Sequence, residues 1–422
     1  MSLQTSTLSN GLRVFTVPLQ DTQAISLLVF AKVGSRYERK TINGVSHFIE
    51  HLMFKGTTRR PKSLHISQEL DGVGAQYNAY TSKEVTCYYV KVNAEHTELA
   101  ADILGDMLLN STFAPKEIDR ERGTIIEEIK MYEDNPLMAI NDLAEVALYG
   151  SDHPLGWNIA GPAEVISSIS REQIMKYRST FYQANNLTIV AAGKIPSGFQ
   201  EMLEKHFRGF AKGKAVPSFV PYTSWSTNPV TIQTRETEQV QLSLGMKAFK
   251  YHDKRLPALM VAGNILGGTM SSRLFTEVRE KRGLAYRIRA STGAYEDVGA
   301  FEVTAGLEKT KVDQALIIIM AELRKMKEKK VTRTELVRAK ENIRGSFILD
   351  FEDSEEVAAY YGRQALFSKK IETPEQVLAK IAAVTADDIQ QVCTQVFRPS
   401  TYRLAMIGPF TDDGSWKKIL RG

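Results

Sequence analysis

Cysteine is scarce in this sequence: two residues in 422, Cys87 and Cys393, far apart along the chain. Two distant thiols make no disulfide framework and no CxxC metal pair. Cys87 sits in the apolar run VTCYYV and reads as a buried small residue. Long apolar runs are missing too. The longest, around Ile25 to Val33, is about half of what a membrane-spanning helix needs. The opening residues MSLQTSTLSNG lack the basic start and apolar core of a secretory signal, so a cytoplasmic, reducing compartment is the expectation. Blocks of like charge are absent as well. Lys and Arg total 54 against 49 Asp and Glu, and the net charge of +5 is scattered along the chain. Neither a nucleic-acid partner nor a membrane partner is expected from such a pattern.

What is present is ordinary globular material. Apolar residues make up 43% and charged residues 24%, which excludes a disordered chain. A length of 422 residues exceeds one ordinary core and implies at least two domains. An internal repeat supplies them. EIDRERGTI at 117–125 resembles ELVRAKENI at 335–343, 218 residues further on. ISREQI at 169–174 resembles VTADDI at 384–389, and NLTIVAAG at 186–193 resembles TYRLAMIG at 401–408, both 215 residues on. The order and near-constant offset predict two homologous domains of about 200 residues. The stretch 209–224, rich in Gly, Pro and Ser, reads as the connection. The expected division is therefore 1–210, a linker at 211–228, and 229–422.

Residues 24–30 read as a mostly buried strand, and 240–246 alternate as a half-buried one. Helical patterns occupy 44–55, 63–72, 97–110 and 115–132, then 255–266, 310–328, 332–348 and 375–395. Strands and helices in blocks predict an α+β fold, each domain a mainly antiparallel sheet with helices packed on one face.

The chemistry concentrates in NGVSHFIEHLMFKG, which begins at Asn43. Asn43 can cap a helix and Gly56 can end it. Val45, Phe48, Ile49, Leu52 and Met53 form one apolar stripe; His47, Glu50, His51 and Phe54 form another. A helix of this kind is buried nearly all round, and burying two imidazoles and a carboxylate is costly unless they gain strong partners. A bound cation is such a partner. Two histidines one turn apart can reach a single metal, and HxxEH is the inverted form of the zinc-peptidase motif. A catalytic zinc wants a third protein ligand and an open position for water. The pattern PKEIDRERGTIIEEIK, with Pro115 in its first turn, offers Glu121 and Glu128, seven residues apart on one face, while Glu127 points elsewhere. Spacing alone leaves Glu121 and Glu128 equal. Phe54 fits core packing as well as a site wall.

Over essentially its whole length the sequence resembles the insulinase/pitrilysin metallopeptidases, in particular bacterial relatives of the mitochondrial processing peptidase beta subunit. HFIEHLMFKGT at 47–57, NAYTS at 78–82 and ERGTIIEEI at 121–129 carry the resemblance. It implies one zinc per chain on His47, His51 and Glu128, with Glu121 hydrogen-bonding behind the ligands and Glu50 as general base. It also implies that Asn78, Ala79 and Tyr80 form the edge strand on which an extended peptide pairs, with Phe54 as an apolar wall. In the second half, VREKRGLAY places Arg279 and Tyr286 seven residues apart, and similar proteins use such a pair on the substrate carbonyl and its oxyanion. The second half has no HxxEH; Ser346 and Ala339 stand where the repeat would put Glu128 and Glu121. One half is thus expected to carry the metal and its sister to bind substrate.

The implied activity is zinc-dependent endopeptidase action on unfolded or extended peptides inside a clamshell-like chamber, by a homodimer or a heterodimer with a related subunit. The acidic pair that favours arginine near the cut is incomplete here, Met138 and Asp142 standing in its places. A non-catalytic partner subunit and a dedicated maturation factor are the competing readings.

Overall fold

The computed structural model describes residues 2–412 and 414–421. The first sheet contains β1 (Gln4–Thr7), β2 (Arg13–Pro18), β3 (Ala24–Ala31), β4 (Gln76–Thr81), β5 (Thr86–Asn93) and β6 (Leu187–Gly193). Its order is β1-β2-β6-β3-β5-β4, antiparallel except for the parallel pair β2 and β6. The second contains β7 (Val230–Thr234), β8 (Gln239–Ala248), β9 (Ala285–Ala294), β10 (Gly299–Glu308) and β11 (Arg403–Gly408), in the order β7-β11-β8-β10-β9. It too is antiparallel except for one pair, β7 and β11. The α+β expectation holds, and no helix among the described residues is long and apolar enough to cross a membrane.

Central strands decide how these sheets are covered. In β3 the side chains alternate between faces. Ile25, Leu27 and Val29 join the main core with Val45, Phe48, Ile49 and Leu52 of the helix Val45–Met53. Leu28 and Phe30 face the other way, and with Val190 they pack against Val357, Ala358 and Tyr361 of the helix Ser354–Phe367. Covering three such side chains contributes roughly 5–9 kcal/mol. Close approach needs Gly362, where a Cβ would stand 2.1 Å from the Phe30 ring.

That covering helix comes from the far half of the sequence. One compact unit comprises Met1–Lys130, Asn158–Val220 and Ile348–Ile371; the other comprises Met131–Trp157, Pro221–Phe347 and Glu372–Gly422. In the second unit the helix Pro136–Tyr149 packs Ala139, Ile140, Ala144 and Ala147 against Ala405 and Ile407 of β11. The two exchanged helices begin at residues 136 and 354, the repeat's own offset of 218. The expected boundaries 1–210 and 229–422 do not include this exchange. Its cause is that each sheet has a second apolar face requiring cover. The same helix explains why β8, expected to be half-buried, is buried from Val240 to Met246. The expected single helix 375–395 is two, Pro374–Ala383 and Ala386–Val396, because Thr385 starts the second with a capping box to Asp388.

Candidate metal centre

The helix Val45–Met53 buries Val45, Ser46, Phe48, Ile49, Leu52 and Met53 and leaves His47, Glu50 and His51 on its half-buried side. Asn43 does not cap it. The buried carboxylate of Glu38 does, accepting from the Gly44 amide at 2.7 Å and the Ser46 amide at 2.8 Å. Asn43 instead donates its side-chain amide to Glu38 at 2.9 Å and to the Asn158 carbonyl at 3.1 Å. A longer side chain from a preceding turn satisfies two orphan amides at once, and its charge suits the positive helix end. Burial nevertheless pushes the Glu38 carboxyl up to about 6. Gly44 has φ of 96°, and a Cβ there would stand 2.3 Å from the Ala160 carbonyl.

Glu121 and Glu128 project from the helix Pro115–Asp134. Glu121, 1% exposed, accepts from His51 Nδ1 at 2.9 Å, and its other oxygen pairs with Lys55 at 2.8 Å. The Nδ1 bond fixes the His51 tautomer and aims Nε2 at the centre. There His51 Nε2 lies 3.1 Å from His47 Nε2. One Glu128 oxygen lies 3.4 Å from His51 Nε2 and 3.8 Å from His47 Nε2. His47, His51 and Glu128 thus bring three donor atoms to one point. Burial and the neighbouring His51 hold His47 low, at about 4, so its ring is neutral with a free lone pair. Burial works against a charge on His51 too, but the bonds to Glu121 and Glu128 prevail and raise it to about 9.

Two imidazole nitrogens 3.1 Å apart cannot both present lone pairs unless a cation or proton lies between them. Donors at 2.0–2.2 Å from a tetrahedral zinc stand roughly 3.3–3.6 Å from one another. The three separations here bracket that range, so the residues fit the ion. Spacing had left Glu121 and Glu128 equal; the structure puts them on opposite ends of the same ring.

Glu50 is half-buried on the same helix face, and Thr81 Oγ1 donates to it at 2.5 Å. Burial raises the Glu50 carboxyl, with the Thr81 bond opposing. Thr81 was not among the expected residues, although it directly follows Asn78, Ala79 and Tyr80. All four lie on β4, the outermost strand of the first sheet. Asn78 and Tyr80 are exposed there, and Ala79 is buried. Phe54 closes the helix and packs half-buried on the core, its ring 6.5 Å from that of Tyr88. Glu127 points outward and pairs with Lys130 at 2.7 Å. Arg279 and Tyr286 meet in the second unit, the guanidinium 5.4 Å from the phenol ring centre. Tyr286 is 75% exposed. Met138 and Asp142 lie on the exchanged helix Pro136–Tyr149.

Comparison with known proteins gives the chain a family. Residues 13–163 match the insulinase family (peptidase family M16), and residues 168–343 match the peptidase M16 inactive domain. The chain belongs to the insulinase family. It is 36% identical to an uncharacterized zinc protease of Bacillus subtilis, over 96% of this chain and 97% of that one. It is also 36% identical to an uncharacterized zinc protease of Streptomyces coelicolor, over 97% and 90%. The crystal structure of a protease from Helicobacter pylori superimposes with a TM-score of 0.91 at 25% identity, covering 97% of this chain and 99% of that one. The overlap shows that the fold of this chain is shared with that protease.

Proposed function

We propose that this insulinase-family chain is a zinc-dependent endopeptidase that cleaves unfolded or extended peptides. The observation that carries the reading is the convergence of one donor atom each from His47, His51 and Glu128 to within 3.8 Å of one another, beside a carboxylate on the histidines' helix face. Zinc held by these three side chains would acidify water and polarise the scissile carbonyl. Glu50 takes the proton of the attacking water and delivers it to the leaving amine. Burial raises its carboxyl, which makes the carboxylate a stronger proton acceptor, and Thr81 fixes its orientation. Glu121 and Lys55 keep the His51 ring aimed.

The open edge of β4 suits an extended substrate, because backbone pairing there is indifferent to side-chain identity. Asn78, Ala79 and Tyr80 would supply that edge, and Phe54 an apolar wall. Arg279 and Tyr286 are assigned to the substrate carbonyl on the resemblance to the family. Pairing with a second copy or a related subunit belongs to the same reading and is measurable by sedimentation.

The deciding experiment is Glu50→Gln. Zinc content and the far-ultraviolet spectrum should match wild type, while hydrolysis of a quenched fluorescent peptide falls by about 10²–10⁴-fold. Unchanged turnover in a zinc-loaded Glu50→Gln protein would remove the general base and with it the proposed mechanism.

A further inference from the structure

One edge strand of the second sheet, β9, carries two arginines that form no ion pair among the described residues. Among the described residues β9 pairs with β10 alone, as β4 pairs with β5 alone, so no strand occupies its far edge. Ile288 and Ala290 face the core, while Arg287 and Arg289 are exposed on the opposite face. Across the ladder they meet Gly306 and Thr304, neither of which is acidic. Among the described residues, Arg279, Arg287 and Arg289 form no ion pair. Their neighbours do: Lys281 and Arg282 pair with Glu277 at 2.6 and 2.7 Å, and Arg273 pairs with Glu335 at 2.7 Å. Arg287 and Arg289 therefore stand together on one exposed strand, beside the exposed Tyr286, while Arg279 lies half-buried on the preceding helical turn with its guanidinium over that phenol ring.

We infer that the edge of β9 docks an extended peptide bearing carboxylates at alternate positions, with Arg287 and Arg289 reading them. The occupant follows from geometry and charge. A peptide added to an open edge pairs through its backbone, and its side chains on one face recur every second residue, about 6.6–6.8 Å apart. Arg287 and Arg289 have that spacing, and opposite charges across a ladder attract while like charges repel. A glutamate at every second position meets both guanidinium groups, each able to hold a carboxylate in two parallel bonds. This rests on the peptidase reading and names its preferred substrate class. The competing role for edge arginines is to keep sheets of neighbouring molecules apart.

The test uses zinc-loaded full-length Glu50→Gln protein and three fluorescein-labelled extended peptides, identical except for Glu, Gln or Lys at alternate positions. Anisotropy at low salt should show the Glu peptide bound about five- to tenfold more tightly than the Gln peptide, and the Lys peptide more weakly than either. High salt should erase the difference. The double variant R287S/R289S should bring the Glu-to-Gln ratio to about one, and R287K/R289K should restore part of it. Equal binding of the Glu and Gln peptides by the parent protein overturns the inference. So does a preference that survives R287S/R289S. Aggregation of that variant with its preference intact assigns the arginines to edge protection and overturns it as well. Failure of the peptidase reading would look different: selective binding without cleavage by the Glu50-containing protein.

Discussion

Replacing Glu38 with alanine isolates the cap of the histidine helix. Glu38 accepts from the Gly44 and Ser46 amides and from Asn43. A hydrogen bond to a charged acceptor contributes about 1.5–3 kcal/mol, so the two backbone bonds amount to roughly 3–6 kcal/mol. Burial outweighs all of these bonds in the titration, leaving the pKa at about 6 rather than 4.5, so ionising the folded carboxyl costs about 2 kcal/mol net, a cost that alanine relieves. The net expectation for Glu38→Ala at neutral pH is a local loss of about 1–4 kcal/mol. Because the folded-state pKa lies above the unfolded value, the stability linked to protonated Glu38 is fully present below pH 4.5 and is lost as pH rises through about 6. Wild type should lose about 2 kcal/mol across that window, and Glu38→Ala should lack that slope. Hydrogen exchange at the amides of residues 46–49 reads the helix directly. Exchange in metal-stripped Glu38→Ala should be about 5- to 1000-fold faster at pH 7, at ~1.4 kcal/mol per tenfold. Unchanged protection would show that the packing of Phe48 and Ile49 holds the helix alone, and the capping argument would fail.

Other consequences are simpler to measure. Glu121→Gln leaves the three convergent donors in place but weakens the hold on His51; zinc affinity by chelator competition should fall about 10- to 100-fold, and equal affinity would refute its aiming role. Thr81→Val removes the bond to Glu50; peptide turnover should drop about tenfold at unchanged zinc content, with Thr81→Ser close to wild type, and an unaffected valine variant would dismiss the positioning argument. Gly362→Ala places a methyl against the Phe30 ring and should lower stability by about 1–3 kcal/mol; a melting temperature equal to wild type would mean the helix shifts without cost.

Local features of the site were legible because the chemistry is local. His47, Glu50 and His51 lie within five residues, and helical spacing alone puts them on one face. Glu121 and Glu128 share a face for the same reason, yet spacing says nothing about which end of an imidazole each meets. One binds Nδ1 and the other approaches Nε2, a distinction that depends on how two helices cross. Thr81 was hidden differently. In sequence it is the ordinary end of a strand, and only the packing of β4 beside the histidine helix gives its hydroxyl a carboxylate. Glu38 was hidden by the plausibility of Asn43. Both can cap, but only Glu38 is long enough to return from the preceding turn to two amides, and Asn43 is drawn off to Asn158.

The fold was legible where a segment's own pattern determines its surroundings, and illegible where two patterns are interchangeable. β3 and β6 are apolar on both faces, so each requires cover on both sides, and that much a sequence can state. It cannot state which helix provides the cover. Pro136–Tyr149 and Ser354–Phe367 occupy equivalent places in the repeat, and each buries small and apolar residues suited to lying flat on a sheet. By composition either could serve either sheet. What separates them is fit: Gly362 admits the ring of Phe30, and Gly245 of β8 admits Leu148, where a Cβ would stand 2.4 Å from its side chain. A large ring and a glycine on opposite sides of one contact, and a leucine and a glycine on opposite sides of the other, are complementary in the observed arrangement. Two missing side chains therefore contribute to telling the homologous halves apart, a signal that hydrophobic periodicity does not contain.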